Sequence, residues 1–221
     1  MSPNVIQLRR MLAEKFPRLR TPAAAASASA NQWLTGVPQI DDATEGGLRK
    51  GALTEVIATG QSSGGALLLH RLIRNAACAN QIITLVDARD SLDVAQIDQP
   101  ALSRLLWIRS RSPEEAMKAL DLVLRDQNLP LVLVDLAASD EKQLRKIPAT
   151  TWYRVQRLVE ITSTVCLVFT PHHLVTPAQT QIRLHASFSL DAFHQDSSQL
   201  LAAVKMEVTE ARQFQRIQNT A

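Results

Sequence analysis

The chain has 221 residues, enough to bury one substantial core and short for two domains of common size. Its 24 Lys+Arg and 21 Asp+Glu leave a net charge of only +3, a mild preference for acidic partners that neither requires nor excludes nucleic acid. No stretch approaches the roughly 18 uninterrupted apolar residues of a membrane helix, and the N-terminus lacks a signal peptide's apolar core and cleavage site, so a cytoplasmic protein with no membrane contact is expected. Cys78 and Cys166 are too few for a disulfide framework or a zinc site and read as buried thiols acting as small hydrophobes.

Residues 4–16 place Val5, Leu8, Met11, Leu12 and Phe16 on one side of a helix, with Arg9, Arg10, Glu14 and Lys15 toward the other. The segment 1–20 therefore reads as an N-terminal amphipathic helix, packed on its own domain or offered to a neighbour, and Pro17 stops it. The Ala/Ser-rich stretch within 21–32 has nothing bulky to bury and reads as a linker. From residue 33 to 193, short aliphatic runs alternate with helical patterns, as in a mostly parallel sheet flanked by helices. The fold class is α/β. Strands are expected at 53–58, 82–86, 105–108, 131–135 and 165–170. One helix runs from Gly64 to about Ala79. Ser112, Pro113 and Glu115 open another as N-cap, first-turn proline and capping-box partner. A third begins at Thr150 and Thr151 and buries Trp152, Val155, Leu158 and Val159. The alternation of Leu184, Ala186, Phe188 and Leu190 suggests an antiparallel edge strand, and the tail 194–221 reads equally as helix or strand over 197–216.

Residues 53–66, LTEVIATGQSSGGA, lead a β-prone run through a Ser/Gly-rich turn into a helix, the setting of a P-loop. The GxxxxGK[ST] pattern fails across Thr59, Gly60, Gln61, Ser62, Ser63, Gly64, Gly65 and Ala66. Thr59 stands in place of the first glycine, Gly65 in place of the lysine that grips the β/γ-phosphates, and Ala66 in place of the hydroxyl that binds Mg²⁺. The backbone N–H groups from Ser62 to Ala66 still favour an anion, which allows weak phosphate, ADP or ATP binding without making any cofactor necessary.

Together with this turn, TGVPQIDDATEGGLRKGAL (35–53), LVDARDSLD (85–93) and LPLVLVD (129–135) resemble the RecA core in order and spacing. That resemblance implies a RecA-like mostly parallel sheet, places Asp135 at the Walker B position and puts Arg89 where a glutamate would activate the attacking water. Loss of the lysine, the hydroxyl and the carboxylate removes three separate contributions to phosphoryl transfer, so a pseudo-ATPase with no catalytic residues is expected. Arg89 is expected to pair with Asp87 or Asp135 instead. The loop that would grip single-stranded DNA is reduced to PHHLVTPAQTQ (171–181), whose His172-His173 pair reads as a polar tip rather than a metal site. Arg104, Arg109 and Arg111 form either a phosphate-binding strip or a solvated rim, while Trp33, Trp107 and Trp152 read as core or core-edge residues.

With IPATTWYRVQRLVE after LPLVLVDL, the chain resembles the ImuA family, RecA-fold proteins associated with error-prone translesion DNA synthesis. The resemblance implies a damage-induced accessory protein that contacts an ImuB-type polymerase-like partner, RecA or both, with self-association through the N-terminal helix. Two alternatives stand beside it. One is a SulA-like inhibitor of the division protein FtsZ; the other is an unorthodox DNA-dependent ATPase borrowing a lysine such as Lys50 or one from a neighbouring subunit.

Overall fold

In a computed structural model of the protein, residues 31–60, 62–186, 188, 192 and 194–210 are described. The N-terminal helix expected at 1–20 and residues 21–30 of the linker expected at 21–32 lie outside them, as does Gln61, while Gln32 of that linker belongs to a strand. Strand β1 (Gln32–Trp33) pairs antiparallel with β2 (Leu48–Arg49), and helix α1 (Pro38–Ala43) lies between them in sequence. Then follow β3 (Ala52–Ala58), α2 (Gly65–Cys78), β4 (Ile83–Asp87), α3 (Gln99–Leu102) and β5 (Leu105–Arg109). Next come α4 (Pro113–Arg125), β6 (Leu131–Asp135), α5 (Glu141–Leu144), α6 (Ala149–Glu160) and β7 (Val165–Thr170). The last described elements are β8 (Thr180–His185), α7 (Ser197–Ala203) and β9 (Lys205–Glu210). The main sheet has seven strands in the order β5-β4-β6-β7-β3-β8-β9, all parallel except β9.

The strands are aliphatic because both faces of the sheet are covered. Leu85, Leu131, Leu133, Leu167 and Val56 face α2, whose Leu68, Leu72 and Ile73 are fully buried. Val86, Val132, Val134, Val168 and Leu53 face the other way, toward Leu120 and Leu124 of α4 and Val155 and Val159 of α6. Ser112 caps α4 by accepting from the Glu115 N–H at 3.3 Å. The reciprocal arm is shifted: the Glu115 carboxylate accepts from the Arg111 N–H at 2.9 Å rather than from Ser112.

Two expectations need correction, and one reading left open is decided. Strand β8 is neither antiparallel at its core-side neighbour nor an edge; it runs parallel to β3 and ends at His185, before Ala186 and Phe188. Among the described residues the edge is β9, and 197–210 supplies both a helix and a strand, with Leu201 and Val204 buried in the core. Cys166 is buried, whereas Cys78 is exposed at the last turn of α2, one step outside the stripe formed by Leu69, Leu72, Ile73 and Ala76.

A buried carboxylate governs the crossover between β7 and β8. Parallel strands flanking a third strand are ordinarily joined through a helix, yet residues 171–179 cross the face of β3 without one. Their amides need acceptors there, and Glu55 of β3, fully buried, provides them. Its Oε1 accepts from the amides of Leu174 at 2.6 Å and Val175 at 3.0 Å and from the Thr170 hydroxyl at 3.1 Å. Its Oε2 accepts from Gln181 Nε2 at 3.0 Å and lies 2.6 Å from His173 Nδ1. Truncation by Glu55→Ala leaves these buried donors unanswered, at a cost of about 3–5 kcal/mol. Denaturant unfolding should register that loss, and hydrogen exchange at the Leu174 and Val175 amides should accelerate while the β6 amides stay protected.

Candidate functional site

Strand β3 delivers the chain to the C-terminal edge of the parallel sheet, where open α/β folds place their ligand crevices. The turn that follows has the strand-to-helix form its sequence suggests. Gly60, Ser62 and Gly64 all have positive φ, at 80°, 63° and 93°. Gly64 is the N-cap of α2 and has no side chain to answer the helix's first N–H groups, which leaves them directed to the cavity beside the turn. Glycine is required at this position for a second reason: a Cβ on Gly64 would sit 2.6 Å from Cγ2 of Val204. A Cβ on Gly65 would lie 3.1 Å from that of Ala58, so the position expected to hold a lysine is crowded from behind.

Opposite the turn stand the ends of β4 and β6, with Asp87 and Asp135 in register. Asp87 is fully buried and well supplied: it accepts from the amides of Arg89, Ser91 and Leu92 at 3.1, 2.9 and 3.1 Å and from the Trp107 indole at 3.3 Å. Asp135 is poorer. Its Oδ1 accepts from the Ala137 N–H at 3.0 Å, and its Oδ2 has only the Ser91 hydroxyl at 3.4 Å. Burial pushes the Asp135 carboxyl up to about 6, with the Asp87 charge adding to the effect. The expected ion pair to Arg89 does not form. Arg89 enters the network through its backbone N–H, and its side chain is exposed with no ion pair among the described residues.

Between turn and strand ends lies a cavity of about 730 Å³, lined by Ser62, Ser63, Gly64, Gly65 and Ala66 on one side and Asp135 on the other. Thr59 is exposed and not part of this lining, while Gly60 is at its margin. The sequence reading missed three further contributors. Leu67, Phe169, Phe188 and Leu200 make much of the wall apolar. His70, one helical step deeper, is held below the usual histidine range by burial, opposed by the charge of Asp93. Ser139 is 8% exposed, and its hydroxyl has no partner. Lys50 is remote from all of this, because it precedes β3 and the turn follows it, a separation of roughly 20 Å along a seven-residue strand.

The other singled-out residues fall elsewhere. His173 is bound to Glu55, so the His172-His173 pair is not simply a polar tip, and no group of three or more metal-ligating side chains gathers among the described residues. Arg109 forms a forked ion pair with Asp90 and stacks 4.9 Å over Trp107, while Arg104 donates to the Asn80 carbonyl at 3.3 Å. They do not form one free basic strip with Arg111. Trp33 and Trp152 are buried and Trp107 is half-buried. Glu55 had one signal in the sequence: an acid inside LTEVIA, since a charge in a covered strand must have partners.

Two substitutions probe the site. Gly64→Ala combines a left-handed backbone with the Val204 clash and should lower Tm by several degrees. Asp135→Asn tests the raised carboxyl. An ordinary aspartate titrates near 3.9 when unfolded, so the native state binds this proton more tightly, and the stability it contributes is complete below about pH 4 and lost as pH rises through about 6. Asparagine should therefore stabilise the protein at pH 7.5, by up to about 2 kcal/mol, and the gain should vanish below about pH 4 in a series of thermal melts.

No protein-family model and no curated protein matches the chain, so its own residues carry the functional reading.

Proposed function

We propose that this is a non-catalytic RecA-fold accessory protein of damage-induced, error-prone translesion DNA synthesis. It acts through contacts with an ImuB-type polymerase-like partner, with RecA, or with both. The observation that carries the pseudo-enzyme part is the composition of the cavity at the turn: it has a strand-to-helix loop and an acidic strand end, yet no lysine or arginine lines it among the described residues. Phosphoryl transfer depends on cations that neutralise the transferring group, and each is worth several kcal/mol of transition-state stabilisation. The partner assignment rests on the ImuA resemblance of LPLVLVDL and IPATTWYRVQRLVE. The FtsZ-directed alternative has no comparable feature in its favour.

Affinity capture of the full chain from cells treated with a DNA-damaging agent should recover a polymerase-like component or RecA; recovery of FtsZ instead would assign the alternative. Phosphate release in the presence of Mg²⁺ and ATP should stay at the buffer rate with and without single-stranded DNA. A Mg²⁺-dependent rate abolished by Asp135→Ala would overturn the pseudo-enzyme reading.

A further inference from the structure

The cavity beside the turn has walls of opposite character. One is apolar, with Leu67, Leu69, Phe169 and Leu200, and its volume of about 730 Å³ lies within the range of small-molecule and side-chain pockets. The other carries acceptors that the protein itself does not satisfy. A carboxylate offers about four lone-pair positions, and Asp135 fills one firmly, with the Ala137 N–H. Its remaining contact, the Ser91 hydroxyl at 3.4 Å, also lies 3.3 Å from Asp87, and a single hydroxyl proton serves only one of the two. Ser139 also lines the cavity, and its hydroxyl is buried and unpartnered. Asp135, only half-buried, therefore keeps lone pairs open on the cavity side, and the Ser139 hydroxyl lacks the partner that a buried polar group almost always has.

The sign of the charge decides what that partner is. The N-terminus of α2 contributes roughly +0.5 of an elementary charge. Against it stand Asp93 and Asp135 in the lining, with no lysine or arginine among the described lining residues. A phosphate group would meet net repulsion, whereas an ammonium or guanidinium group would meet an acceptor-rich wall with apolar surface for its stem.

We propose that this cavity binds a cation carried on an apolar stem, the chemistry that a lysine or arginine side chain or a free alkylamine presents. The cation lies against Asp135 and Ser139, and the stem lies along Leu67 and Leu200. This assignment is independent of the pathway the protein serves and of the partners it contacts.

Amide NMR on the full-length ¹⁵N-labelled chain tests it, with n-hexylamine, 1-hexanol, sodium hexanoate and sodium pyrophosphate as probes. Hexylamine should saturate shifts at the amides of Leu67, Ala137 and Ser139 with about tenfold higher affinity than hexanol, the increment expected of a charge-assisted hydrogen bond. Hexanoate and pyrophosphate, with or without Mg²⁺, should not saturate. Asp135→Asn should bring hexylamine down to the hexanol level and leave hexanol binding unchanged, which shows that the apolar wall is still folded. A capped Leu-Lys-Leu peptide that shifts the same amides assigns the cation to a protein segment, and binding of hexylamine without the peptide assigns it to a free amine. The proposal is overturned if hexanoate or pyrophosphate binds there as tightly as hexylamine, if Asp135→Asn leaves the preference intact, or if no probe saturates at these amides.

Discussion

The Glu55 carboxylate is the constraint on which the geometry of the sheet depends. It sits fully buried on β3, between β7 and β8, and it answers the amides of the helix-free segment that joins those two strands. Without an acceptor at that point, two peptide N–H groups would cross an apolar surface unpaired, each at a cost comparable to a lost hydrogen bond. Because Thr170, His173 and Gln181 converge on the same carboxylate, it also fixes how β7 ends and where β8 begins. The placement of β8 in turn provides the edge on which β9 pairs.

That chain of dependence reaches the candidate site from behind. Strand β9 is preceded by α7 and Val204, and Val204 is the side chain that fills the space a Cβ on Gly64 would need. Leu200 of α7 forms part of the cavity wall. The C-terminal segment thus acts as a backing for the turn as well as an extension of the sheet. Apolar side chains make up much of the wall beside the turn, and no described lysine or arginine lines the cavity with Asp135.

Much of this was legible beforehand, and for identifiable reasons. The β4, β6 and β7 runs are continuously aliphatic because they are covered on both faces, a pattern that needs no tertiary information. Ser112-Pro113 marks the start of α4 through local chemistry alone. What escaped was decided by distance in sequence. His173 looked like loop decoration because its partner, Glu55, is separated from it by 118 positions. Arg89 looked like a compensating cation because it adjoins two aspartates, yet the backbone turn satisfies Asp87 through amides and leaves the guanidinium in solvent. The alternation through 184–190 suggested an antiparallel edge, while the role of edge fell to residues twenty positions later that could pair only once β8 was in place.

The sequence by itself determined the α/β class, most of the strands, the three long helices and the lack of a lysine and a hydroxyl at Gly65 and Ala66 of the strand-to-helix turn, since each of these is written in local periodicity or in residue identity at a short spacing. Only the tertiary structure decided which carboxylates are satisfied and which are not. Glu55, Asp87 and Asp135 are each an acid at or inside an aliphatic run, indistinguishable as letters. They differ because the chain brings four donors and the His173 ring nitrogen to the first, four N–H groups and the shared Ser91 hydroxyl to the second, and leaves the third facing a cavity with one firm hydrogen bond. A buried charge is defined by what surrounds it, and its surroundings come from strands and loops that are neighbours in space alone.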